Sequence, residues 1–129
     1  GAWAEARARF EEAVAATRSP QAWEGVSRAA WWLGDQEQTM TARERAYRGY
    51  RRAADVFGAA RMAMWLASDH FDFRGDDAVA SAWLQRGRAL LRDEEPCADE
   101  GYITLLEADI AEKGVLATAQ QRAELADDR

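Results

Sequence analysis

Apolar residues return along this chain at intervals of three and four, the spacing that lines one face of an α-helix. Trp3, Ala6, Phe10, Ala13 and Val14 form the first such stripe and predict a helix over 2–16. The TRSP turn at 17–20 closes it, and Ser19 is placed to cap a second helix with Pro20 at its first position. That helix runs to about residue 33 and stops at Gly34. A third spans about 36–53 and a fourth about 55–70. The fourth carries Phe57, Ala60, Met64 and Ala67 in register, with Met62, Trp65 and Leu66 broadening its apolar surface. FDFRGDD then interrupts the pattern, and Asp76 or Asp77 is placed to cap a fifth helix over 78–91. RDEEPCADE reads as the longest loop, with Asp99 placed to cap a sixth helix that ends near Gly114. A seventh follows at about 116–126. Alanine occurs 29 times, proline twice, and β-branched residues are sparse, which favours helix over strand throughout. The predicted fold class is all-α.

These helices recur as units. GAWAEARARFEEAV, GDQEQTMTARERAY, GDDAVASAWLQRGR and GVLATAQQRAELA each open on glycine and continue as a short helix. Small or compact residues align at Ala6, Thr39, Ala80 and Ala119, separated by 33, 41 and 39 residues. Four residues later stand Phe10, Arg43, Leu84 and Ala123, and three later again Ala13, Ala46, Gly87 and Ala126. Arg43 is the poor match, expected to lie with its stem buried. Short glycine-containing connections predict antiparallel neighbours. Stacked helix pairs of this kind build a short right-handed superhelix with a concave face.

The pattern resembles the tetratricopeptide repeat, which begins W-x2-L-G-x2-Y and continues with A-x3-F and a small residue. Trp23 matches its first tryptophan and Val26 the following aliphatic site, while Ser27 and Ala30 replace the usual glycine and tyrosine. Ala6, Phe10 and Ala13 match the second-helix pattern, and Ile103, Leu106 and Ile110 fit first-helix apolar positions in the last pair. AAWWLGD, RERAYRGYRR, ARMAMWLASDHFDFRGDDAVASAWLQR and DEEPCADEGYI also resemble the helical repeat region of actinobacterial LuxR-type transcriptional regulators. That resemblance implies a sensory or interaction region accompanying a separate DNA-binding effector, which these residues do not contain. The whole of 1–129 is expected to be one tetratricopeptide-like domain, a fragment of a larger regulator.

The tetratricopeptide resemblance implies a groove lined mainly by first helices. Carried over by position, it makes Gln21, Glu24, Arg28, Trp31 and Trp32 the candidates from the second repeat. Thr104, Ala108, Ala111 and Glu112 follow from the last. Adjacent residues on a helix sit about 100° apart, so the expected division leaves one indole of Trp31 and Trp32 packed and the other partly exposed. An aromatic anchor and an arginine facing a carboxylate suit an extended peptide.

Charge narrows the alternatives. A formal charge of −6 argues against a broad nucleic-acid footprint. Residues 43–52 nevertheless carry five arginines with Tyr47 and Tyr50 interleaved, read chiefly as solvated surface or ion pairing, with an acidic partner or phosphate as the functional alternative. Asp69 and His70, with Asp72, Asp76 and Asp77 nearby, invite a metal or catalytic reading. One histidine without HExxH, paired CxxC or an EF-hand loop leaves structural use as the expectation, His70 against helix-terminal carbonyls and Asp72 orienting its ring. Cys97, the only cysteine, permits no intrachain disulfide and is expected to pack or to have no role. No apolar run predicts a membrane span or signal segment. The expected protein is therefore cytoplasmic, not an enzyme, without metal or cofactor, and binds a protein or peptide. A small-molecule sensor with an aromatic pocket around Trp31, Trp32 and Trp65 is the alternative, and exposed terminal faces would permit a homo-oligomer.

Overall fold

The computed structural model describes residues 1–94 and 98–127, the side chains at 98–99, 115–118 and 127 excepted. Six helices account for nearly all of them: α1 (Ala2–Thr17), α2 (Pro20–Trp32), α3 (Gln36–Arg52), α4 (Val56–Arg74), α5 (Asp77–Leu91) and α6 (Ala98–Asp127). Each helix packs on the next, and α6 also reaches back to α4. The fold is all-α, as the periodicity predicts.

Three of the joints use one device. Gly34, Ala54 and Gly75 take left-handed φ values of 77°, 56° and 59°, and each is followed by an aspartate. The carboxylates of Asp35, Asp55 and Asp76 accept the backbone N–H groups of Gln38, Gly58 and Val79 at 3.1, 2.9 and 3.1 Å. Each aspartate N–H in turn donates to a carbonyl of the helix just ended, at Ala30, Tyr50 and His70. At each of these joints one orphaned N–H of the new helix and one orphaned carbonyl of the old are thereby satisfied by the same aspartate. Ala54 carries a Cβ in this conformation, at a cost of about 1–2 kcal/mol that glycine avoids. The first joint differs: Ser19 caps α2 through Ala22 N–H at 3.2 Å, with Pro20 behind it, as expected.

Small residues let the helices approach. A Cβ on Gly25 would stand 2.2 Å from the Phe10 ring, and one on Gly58 2.5 Å from the Tyr50 ring. Alanines 59, 60, 63 and 67 of α4 are fully buried, so α4 is the central element. One cluster joins it to Ala80, Trp83, Leu84 and Leu91 of α5 and Ile103 of α6. A second joins Ala59 and Met62 to Ala46 and Tyr50 of α3. α1, at one end, contributes no fully buried residue.

Two expected boundaries move. α4 continues through FDFR to Arg74 because Phe71 packs against the main core and the left-handed turn comes only at Gly75. The expected sixth and seventh helices are a single helix, α6. Gly114 is not among the positive-φ glycines, and an interior glycine costs a helix only about 1 kcal/mol. Asp99 lies inside the first turn of α6, while Pro96 and Cys97 fall outside the described residues. The internal alignment fares accordingly. Thr39, Arg43 and Ala46, then Ala80, Leu84 and Gly87, are buried, Ala6, Phe10 and Ala13 are half-buried, and Ala119, Ala123 and Ala126 are exposed. The fourth copy thus lacks the packing of the others.

Candidate binding groove

Glu24, Arg28, Trp31 and Trp32 of α2 face Arg61, Met62 and Trp65 of α4 across a half-open cleft of about 470 Å³. Ser27 and Arg43 complete its lining. On the other side of Arg61 and Trp65 lies a second cleft of about 450 Å³, walled by Met64 and Ser68 of α4 and by Tyr102 and Leu106 of α6. Arg61 and Trp65 line both. The two clefts therefore adjoin, and alternate helices α2, α4 and α6 contribute to one strip.

The strip is strongly aromatic. Trp31, Trp32, Trp65 and Tyr102 are 43%, 58%, 42% and 57% exposed. Neither indole of the adjacent pair is buried, contrary to the expected division. The buried side of α2 is drawn through Ala22, Val26, Ala29 and Ala30, leaving both tryptophans beyond it at the last turn. They are ordered by one another: Trp32 stacks on Trp3 at 5.5 Å and 13°, and Trp31 meets Trp32 edge-on at 4.8 Å. Offset and edge contacts of this kind suit the ring quadrupole.

Two ion pairs hold the walls. Arg61 grips Glu24 with both arms, Nε to Oε2 at 2.9 Å and Nη2 to Oε1 at 2.8 Å. The Tyr50 hydroxyl donates to Oε1, and Arg28 stands 3.7 Å from Oε2. Burial alone would raise the Glu24 carboxyl, but the bonds from Arg61 and Tyr50 and the nearby guanidinium charge hold it below the usual range. Burial and the Glu24 carboxylate push the Tyr50 phenol up to about 12, so it remains a donor. The second pair is drier. Arg43 and Asp69 are 5% and 3% exposed and meet at 2.5 Å, with the guanidinium also 5.1 Å above the Trp65 ring. Oδ2 of Asp69 has no hydrogen-bond partner among the described residues. Burial pushes this carboxyl up, and Arg43 opposes it only in part.

Of the residues carried over by position, Glu24, Arg28, Trp31 and Trp32 meet in the first cleft. Gln21 is exposed on α2 and does not line it. Thr104 accepts Arg88 of α5 at 2.9 Å, beside an Arg88–Glu107 pair, and Ala108, Ala111 and Glu112 are exposed on α6. Sequence reasoning overlooked Arg61 and Tyr102, read Met62 only as part of the apolar surface of the fourth helix, named Trp65 only for the alternative pocket, and expected only the stem of Arg43 to be buried. A signal was available: Glu24 and Arg61 are 37 residues apart, within the repeat spacing, and the same step takes Arg28 to Trp65. Read as a first helix, α4 would have supplied both.

Asp72 accepts the Ser68 hydroxyl at 3.2 Å, and the His70 carbonyl takes the Asp76 N–H. Among the described residues, no group of three or more His, Cys, Asp or Glu side chains is placed to hold a metal ion. No described helix is long and apolar enough to cross a membrane. In comparisons with protein-family models, curated proteins and solved structures, nothing matches the chain.

Proposed function

We propose that this domain is a non-catalytic, tetratricopeptide-like module that binds an extended protein or peptide segment along the strip formed by α2, α4 and α6. The observation that carries the reading is the sharing of Arg61 and Trp65 by two adjoining clefts, which gives a track longer than either. Alternate helices lining one face support the repeat reading, because stacked helix pairs present their first helices together. Exposed indoles offer rigid anchors, and Arg28, with 63% of its side chain exposed, offers a guanidinium to a carboxylate of the segment. The open side of the first cleft favours an extended chain over an enclosed small molecule. A cytoplasmic place within a LuxR-type regulator belongs to the same proposal and rests on the sequence resemblance.

The test is selection of peptides from a random display library on the full chain. Enriched peptides are expected to carry an aromatic or aliphatic residue near an acidic one, and to lose tenfold or more in affinity on Trp32→Ala or Arg28→Ala. Peptides that bind both variants as tightly as the parent would reject the groove as their site.

A further inference from the structure

A third cleft, of about 670 Å³, opens between the end of α1, the start of α2 and the last turns of α3. Arg18, Arg45, Arg48 and Arg52 line it, with Trp23 and Gly49. The interleaved tyrosines of this stretch turn inward: Tyr50 is buried, and Tyr47 sits edge-on to Trp83 at 5.0 Å. Arginines at 45, 48 and 52 share the opposite choice, because spacings of three and four put them on one helical face. Arg45 is held 5.1 Å over the Trp23 ring. Among the described residues, none of the four has a carboxylate within ion-pair distance.

Ordinary causes account for part of this. Arg18 and Arg52 stand at the C-terminal ends of α1 and α3, where the carbonyls favour a cation. Arg45 and Arg48 lie further inside α3 and gain little from that end. Four guanidiniums with no ion pair among the described residues stand around one concavity, and Glu44, one turn before Arg48 on α3, makes no such pair with it. A carboxylate fills one guanidinium fork, whereas a phosphoryl group carries up to two charges and three acceptor oxygens, enough for several.

We propose that this cleft is a phosphoryl-binding site, separate from the α2–α4–α6 strip, in which Arg45, Arg48 and Arg52 supply the forks and Trp23 positions Arg45. Calorimetry on the full chain tests it with three probes: inorganic pyrophosphate, a phosphoserine peptide beside its unphosphorylated form, and a glutamate-rich peptide of equal charge. Saturable binding of pyrophosphate or of the phosphopeptide alone is expected, and which of them binds tells a free phosphate from a phosphorylated side chain. The affinity is expected to weaken as salt is raised, to fall tenfold or more in Arg48→Ala/Arg52→Ala, and to hold in Arg28→Ala. Both substituted arginines are exposed, so the helical circular dichroism is expected to stay unchanged. No binding by either phosphoryl probe, equal binding of the glutamate peptide, or an unaffected double variant would overturn the proposal.

Discussion

Glu24 and Asp69 each meet a guanidinium that lines the same groove, yet the two pairs are built in opposite ways. Glu24 has both oxygens bonded, by the two arms of Arg61 and by Tyr50, and Arg61 remains 37% exposed. Asp69 has one bond from a buried Arg43 and, among the described residues, one oxygen without a partner. The carboxyl shifts divide accordingly, below the ordinary range for Glu24 and above it for Asp69. The acid–arginine pairing thus goes with a lowered carboxyl in Glu24, where both oxygens are bonded and the arginine is part-exposed, and with a raised one in Asp69, where neither holds. Where burial is nearly complete, desolvation outweighs a single strong contact.

The largest expected effect breaks the dry pair. Arg43→Met leaves a buried carboxylate without its cation and is expected to cost roughly 3–5 kcal/mol, measured by urea unfolding. Adding Asp69→Leu is expected to recover most of that loss, because two apolar groups replace two desolvated ones. A single substitution that costs less than about 1 kcal/mol, or a double one no better than the single, would show that Asp69 is not paying for its burial.

That pair also marks where the sequence stopped being informative. Arg43 stood out as the mismatch among the aligned Phe10, Leu84 and Ala123 positions, and its stem was expected inside. Its partner was not legible, because the 26-residue separation from Asp69 belongs to no local pattern. The first five helices, the stop at Gly34 and the cap at Asp76 could be read from periodicity and turn residues, which are local causes, whereas Asp55 was read as helical and the caps by Asp35 and Asp55 were not read. The run of α6 through Gly114 could not, since an interior glycine and a terminating one differ only in the φ that tertiary packing selects. In the groove, the α2 wall of the first cleft was legible from the resemblance but the α4 wall was not, and the exposure of both Trp31 and Trp32 depended on Ala29 and Ala30 taking the buried line instead.

On the wetter side, Glu24→Gln is expected to cost about 1.5–3 kcal/mol at neutral pH, the usual worth of charged hydrogen bonds. Its pH dependence sharpens the contrast. The folded carboxyl of Glu24 lies below its ordinary 4.5, so its contribution is complete above that value and is lost as pH falls through the folded one. The stability gap between parent and Glu24→Gln should therefore close on acidification. Asp69 has the reverse sign: lying above its ordinary 3.8, it favours the fold when protonated, and that contribution is lost as pH rises through the folded value. The gap between parent and Arg43→Met should likewise narrow at low pH, because protonation removes the charge left unpaired. A gap that widens in either case would reverse the assignment. Tyr50→Phe, which removes one bond to Glu24 and keeps the ring over Gly58, is expected to cost about 1 kcal/mol.

Arg28→Ala should do least to the fold. Its guanidinium lies 3.7 Å from Glu24 with most of the side chain in solvent, and Arg61 already satisfies both carboxylate oxygens. A loss of roughly 0.5 kcal/mol or less is expected on urea unfolding. The value of this variant lies in the separation it makes. If Arg28 serves the groove, peptide affinity falls while stability hardly moves, whereas Arg43→Met lowers stability first. A cost above about 1 kcal/mol in Arg28→Ala would make this arginine part of the wall with Arg61 and Tyr50, and its exposure could no longer be read as availability to a partner.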